Sequence, residues 1–108
     1  MVDKKKFSSV VFSNSWHKGV VGIVASRLME SYYRPTVVLC RDGDFVTGSA
    51  RSVKDFDVYE ILNGLSDLFE RFGGHKYAAG LTMKEENLNE FIKRFEEAVA
   101  NKINQEQL

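Results

Sequence analysis

Over the first forty residues the apolar positions change their spacing twice, and the change predicts a strand, a helix and a second strand. Phe7 to Ser13 centres on Val10-Val11-Phe12, the compact apolar run of a buried strand. From about His17 to Tyr32 the period lengthens, with Val20, Val21, Val24 and Leu28 on one helical face. Gly22, Ala25 and Ser26 thin that helix, so a neighbouring element can approach its backbone; the glycine costs about 1 kcal/mol of helix propensity. Pro35 ends the helix and opens Thr36-Val37-Val38-Leu39-Cys40, a β-branched run of strand character. Strand, helix and strand make a βαβ unit with two parallel strands and a right-handed crossover.

Arg41-Asp42-Gly43-Asp44 supplies an Asp-Gly turn into Phe45 to Arg51, so a hairpin adds an antiparallel neighbour. Asp57 and Glu60 have capping-box spacing, and Val58, Ile61, Leu62, Leu65, Leu68, Phe69 and Phe72 follow the helical period. The pattern predicts a second helix that stops at Gly73-Gly74. Tyr77 to Thr82 reads as another strand, and Thr82 and Glu85 repeat the capping spacing before a third helix with Leu88, Phe91, Ile92, Phe95, Val99 and Ile103 on one face. Gln105 to Leu108 is expected to fray. These elements predict an α/β fold: a small mixed sheet with helices packed on it, containing a βαβ unit. One domain fills residues 1–108, its ordered core running from about 7 to 103, and no internal repeat is visible.

Composition narrows the class. Thirteen aromatic residues and a single proline argue against disorder, and the longest apolar run falls far short of the roughly 20 residues of a bilayer span. No membrane partner is expected. Cys40 has no second cysteine to pair with, which excludes a disulfide framework and makes the cytoplasm the natural compartment. The fifteen basic and fifteen acidic residues cancel, yet residues 1–54 hold nine of the former and four of the latter. This asymmetry permits an anionic ligand at the first half without identifying one.

Three segments at element ends break the core pattern, where α/β sheets place their ligands. At Trp16-His17-Lys18-Gly19, free N–H groups of a helix start favour an anion, but taken alone the segment fits better a Trp16 that staples the helix entry with His17 or Lys18 in solvent. In Gly48-Ser49-Ala50-Arg51-Ser52, Ser49 and Arg51 are two apart on a strand and converge on one face, a hydroxyl and a guanidinium fork suited to one phosphate. Gly48 would let that ligand near the backbone. The competing reading pairs Arg51 with Asp55 or Asp57. In Phe72-Gly73-Gly74-His75, two glycines can turn N–H groups toward an anion beside a titratable imidazole, or they end a helix. No Ser-His-Asp order, Walker loop or metal-ligand cluster accompanies them.

Taken together, residues 16–27, 48–52 and 72–75 with Ala79-Gly80 resemble the DHH-associated domain of the RecJ family, bacterial 5′ to 3′ exonucleases specific for single-stranded DNA. The likeness covers nearly the whole chain from Phe7. It implies that His75 is catalytic, meeting the scissile phosphate, and that Ser49, Arg51, Ser52, Gly73, Gly74 and His17 bind substrate and its 5′ phosphate. It further implies a partner catalytic DHH domain in the same polypeptide, absent from this chain, holding two manganese or magnesium ions; no metal or cofactor belongs to this segment. On that reading the isolated chain is inactive, and DNA repair and recombination are its setting. Residues 21–27 set the likeness nearer to RecJ than to relatives that cleave nanoRNA or cyclic dinucleotides, or to alanyl-tRNA synthetases. A stand-alone nucleotide- or RNA-binding module is the alternative, distinguished by whether the parent gene encodes Asp-His-His upstream.

Overall fold

The computed structural model describes residues 6–106; Lys4 and Lys5, and Gln107 and Leu108 of the end expected to fray, lie outside them. In chain order the elements are β1 (Ser9–Ser13), α1 (Val21–Tyr32), β2 (Thr36–Asp42), β3 (Phe45–Arg51), α2 (Val58–Asn63), β4 (Phe69–His75), β5 (Ala78–Lys84) and α3 (Leu88–Glu106). Short 3-10 turns at Ser66–Leu68 and Glu85–Asn87 precede β4 and α3. The five strands form one sheet in the order β1-β2-β3-β5-β4, parallel between β1 and β2 and antiparallel elsewhere. The expected mixed sheet, βαβ unit and Asp-Gly hairpin are present, with Gly43 at φ +64° in the turn.

Strand alternation divides the core between two faces. Val37, Leu39, Val46, Ala50, Ala79, Leu81 and Met83 lie under α2 and α3, where Val58, Leu62, Phe91, Phe95 and Val99 complete the larger cluster. On the reverse face Val38 and Cys40 meet Val21 and Ala25 of α1. Helix α1 packs chiefly on β2 and β3, and on the reverse face of β5 and β4 Gly73, His75 and Gly80 are all exposed. The N-terminal segment is pinned to α3 by Glu96, which accepts hydrogen bonds from the Phe7 and Ser8 amides at 3.1 Å and from the Ser8 hydroxyl at 2.6 Å.

Three element boundaries depart from the sequence pattern. Helix α1 begins at Val21, four residues late, because Lys18-Gly19-Val20 forms a turn closed by the Val20 amide on the His17 carbonyl at 3.0 Å. Helix α2 has its Asp57 cap, the carboxylate accepting from the Glu60 amide at 3.0 Å, but stops at Asn63-Gly64, both poor helix formers. The stretch read as its continuation to Phe72 is a 3-10 turn and strand β4. A β-bulge at Glu70 causes the confusion: it sets Phe69 opposite Met83 and Phe72 opposite Leu81, so two phenylalanines three apart share the core face. That spacing imitates a helix. Thr82, finally, is a strand residue bonded to Thr47 at 3.0 Å rather than a helix cap.

Candidate nucleic-acid interface

Directly opposed residues in a sheet share a face, and the register fixes what stands on the open side. One rung carries Arg51, Ala78 and His75; the next carries Ser49, Gly80 and Gly73. Two of the three sequence segments, around residues 49–51 and 73–75, therefore meet on one surface with Ala78 and Gly80 between them. Arg51 and His75 are two strand spacings apart, about 10 Å between backbones. Between them the floor is glycine and alanine.

Arg51 is half-buried, and its Nη1 donates to the Ser49 hydroxyl and to the Ala50 carbonyl, the latter at 2.9 Å. It makes no ion pair with Asp55, Asp57 or any other carboxylate among the described residues. Among the described residues Nε and Nη2 have no protein partner, so the cation is committed to no anion there. Ser49, accepting from Arg51, retains its own proton to donate. Helix α1 makes room for this pair: a Cβ added at Gly22 would lie 2.9 Å from Arg51 Nη2 and 3.6 Å from Ser49 Oγ. An open groove of about 460 Å³ runs along the same flank, lined by Gly19, Gly22, Ile23, Ser26, Arg27, Glu30 and Arg51.

The glycines fall into two kinds. Gly48 lies on the core face, where an added Cβ would come 2.5 Å from Leu39 Cδ2 and closer still to the Val38 carbonyl. It admits Leu39, not a ligand, which corrects the role expected for it. Gly74 is also structural, at φ +146° with Ala79 Cα only 2.5 Å from an added Cβ. Gly73 and Gly80 differ, since a Cβ at Gly73 would meet nothing within 4 Å and one at Gly80 only the Gly48 carbonyl at 3.8 Å. Neither has a positive φ or a steric demand for glycine. Glycine weakens a strand interior by about 0.5–1 kcal/mol, so the protein leaves this floor bare at a cost that its own packing does not explain.

His75 is exposed on edge strand β4, its Nδ1 accepting a long bond from the Tyr77 amide at 3.4 Å, and it does not follow a helix stop. Ser52 is buried with its hydroxyl donating to the Phe56 carbonyl at 2.8 Å, so its proton serves the loop after β3. His17 is exposed in the turn before α1 and shares no rung with the others. Sequence reasoning marked Gly22 as a place of close approach and Gly80 as part of a small-residue run, but it missed what each serves: Gly22 cradles Arg51, and Gly80 is floor beside Gly73. No group of three or more His, Cys, Asp or Glu side chains comes together among the described residues. Cys40 lies beneath α1, where burial foremost, then Asp42, raises its thiol above the usual value.

The DHHA1 domain family matches residues 3–101. Over 99 residues the chain is 41% identical to the single-stranded-DNA-specific exonuclease RecJ of Bacillus subtilis, covering 90% of the chain and 13% of that protein. It is 38% identical over 94 residues to the RecJ of Escherichia coli, covering 82% of the chain and 16% of that protein. A crystal structure of exonuclease RecJ bound to manganese superposes with a TM-score of 0.82 at 35% identity, over 92% of the chain and 25% of that one. RecJ of Thermus thermophilus in complex with magnesium gives 0.82 at 34%, over 93% and 15%. The C-Ala domain of Aquifex aeolicus alanyl-tRNA synthetase shares the fold, with a TM-score of 0.73 at 14% identity over 85% of the chain and 89% of that domain. The chain spans 13 to 16% of the length of these two curated RecJ proteins.

Proposed function

The chain belongs to the DHHA1 domain family, and on that premise we propose that it forms the substrate-binding wall of a RecJ-like exonuclease acting on single-stranded DNA. The observation that carries this reading is the bare Gly73–Gly80 floor between Arg51 with Ser49 on one side and His75 on the other. A floor without Cβ atoms lets a sugar-phosphate chain lie against the sheet. Arg51 offers Nη2 and Nε, and Ser49 its hydroxyl, to the oxygens of a 5′-terminal phosphate. His75, about 10 Å across the sheet, reaches the next phosphate, where an imidazolium or a donating imidazole offsets charge that grows as the P–O bond breaks.

The RecJ structures are bound to manganese or magnesium, and the residues described in this chain do not fit such ions. Metal-ion chemistry belongs in this reading to a catalytic domain elsewhere in the polypeptide, and the isolated chain leaves DNA uncut. Among the described residues no helix is long and apolar enough to cross a membrane.

The test uses the full polypeptide. Arg51→Ala should raise KM and erode the preference for a 5′-phosphorylated over a 5′-hydroxyl end, whereas His75→Ala should lower kcat by on the order of 10²- to 10³-fold with less change in binding. Unaltered end preference in Arg51→Ala, with a parental melting temperature, sinks the reading.

A further inference from the structure

The open face does not stop at Ser49 and Gly73. Its next rungs hold Thr47, Thr82 and Arg71, then Phe45 and Lys84. Strands β3 and β4 run in the same direction, both antiparallel to β5, so Phe45 and Arg71 stand together at one end and Arg51 and His75 at the other. Phe45 and Ser49 are four residues apart, about 13 Å along the strand. Phe45 and Arg71 line a shared recess with Asp42, Glu70 and Thr82.

Arg71 reaches this face only through the bulge. With Glu70 unpaired, Arg71 falls opposite Thr82 on the open side; regular pairing from Phe69 would have turned it toward the core. Neighbouring cations have anions: Lys84 lies 3.6 Å from Glu70, Lys18 3.4 Å from Asp42, and Arg41 grips Glu85. Those pairs offset both carboxylates of the recess. Arg71 is exposed and has no ion pair or hydrogen bond from its side chain among the described residues. Thr82 adds no donor, because Thr47 gives its proton to the Leu81 carbonyl at 3.1 Å and so must accept from Thr82. Phe45 presents an aromatic ring that is 40% exposed on a sheet whose other phenylalanines pack inward. An unpaired guanidinium beside an exposed ring is the pairing that holds single strands, charge for a phosphate and a π-face for a base.

Resting on the proposed reading of the groove, we infer that this distal end is a second station for the same strand, where Arg71 binds a backbone phosphate and Phe45 stacks a base a few nucleotides from the 5′ end. It makes the enzyme prefer longer oligonucleotides.

Kinetics of the full polypeptide on phosphorylated single strands of roughly 4 to 16 nucleotides test this, a range that brackets known single-strand sites. In Arg71→Ala and Phe45→Ala the ratio of kcat/KM for long over short substrate should fall about tenfold, the loss lying in KM. Arg71→Lys should restore part of it. In Arg71→Ala the slope of log binding constant against log salt should shrink by about 0.7, one phosphate contact fewer. An abasic site at the stacked nucleotide should cost the parent what Phe45→Ala costs and cost Phe45→Ala nothing more. If Arg51→Ala is defective while the length ratio is unchanged in both distal variants, this inference falls and the groove reading stands. If Arg51→Ala is indifferent as well, both fall. Equal losses on short and long substrates with a lowered melting temperature would assign Arg71 and Phe45 to docking the rest of the polypeptide and overturn the second station.

Discussion

Adjacent glycines in β4 should respond to alanine with opposite signs. At Gly73 the new methyl enters open space at an ordinary φ. Removing a strand glycine recovers about 0.5–1 kcal/mol, and 1 kcal/mol moves the midpoint of a domain this size by about 4–8 °C, so Gly73→Ala should melt about 2–8 °C higher. At Gly74 the methyl meets Ala79 Cα at 2.5 Å and the Ala78 carbonyl closer still, with the backbone at φ +146°. Neither obstacle is a flexible side-chain tip, so the β4–β5 pairing must shift. Backbone strain of about 1–3 kcal/mol adds to that clash, and Gly74→Ala should lose at least about 3 kcal/mol, more than 10 °C. Thermal melts of the 108-residue chain followed by far-UV circular dichroism measure both. In the full polypeptide, Gly73→Val should keep its melting temperature while losing affinity for single-stranded DNA, because the branched side chain stands on the floor. A fall in melting temperature for Gly73→Ala comparable to that of Gly74→Ala would show that Gly73 has a structural duty. Undiminished DNA affinity in Gly73→Val would empty the floor of its proposed ligand.

Gly22→Ala should keep stability or raise it by up to about 1 kcal/mol, since a helix glycine is removed and the obstacle 2.9 Å from the new Cβ is the far end of the Arg51 side chain, yet weaken DNA binding by displacing that end; a titration with wild-type affinity refutes the cradle. Ser52→Ala should cost about 1–3 kcal/mol by leaving the buried Phe56 carbonyl without its donor, and urea denaturation showing no change would free Ser52 for another role. Hydrogen bonds from Arg94 and Arg41 hold the Asp67 and Glu85 carboxyls below their ordinary values. Lowered folded-state values mean a contribution present above the unfolded values near ~4 and lost as pH falls through the folded ones. An Asp67→Asn, Glu85→Gln double variant should therefore be slightly less stable than the parent at neutral pH and equal to it near pH ~2; a gap that persists in acid denies the pairs their role.

The first half of the fold is legible because its signals are local and unambiguous. Pro35, the Asp42-Gly43 turn and the β-branched run of β2 each dictate their own conformation. The second half misleads at one place, since periodicity assumes regular geometry and the bulge at Glu70 gives a strand the three-residue spacing of a helix. Asn63-Gly64, where α2 stops, lies inside the span that the apolar period predicts as one helix. For the candidate site, the segments were visible as irregularities but their juxtaposition was not. Which residues of β3, β5 and β4 share a rung depends on strand order and register, and Gly48, Gly73 and Gly74 look alike until a neighbour is placed beside each.

The bulge that turns Arg71 outward also governs how β4 behaves toward other chains. As a border of the sheet among the described residues, β4 offers a row of amide and carbonyl groups, the usual template for one molecule to zip onto another. The extra residue at Glu70 interrupts the even spacing of that row near its beginning. An incoming strand in regular register would match only the remainder, from Arg71 to His75, which includes two glycines and the charged Arg71. The distortion that turns Arg71 outward thereby keeps the border a poor seed for fibres, and the glycine-rich sheet face beside it can stay open to solvent.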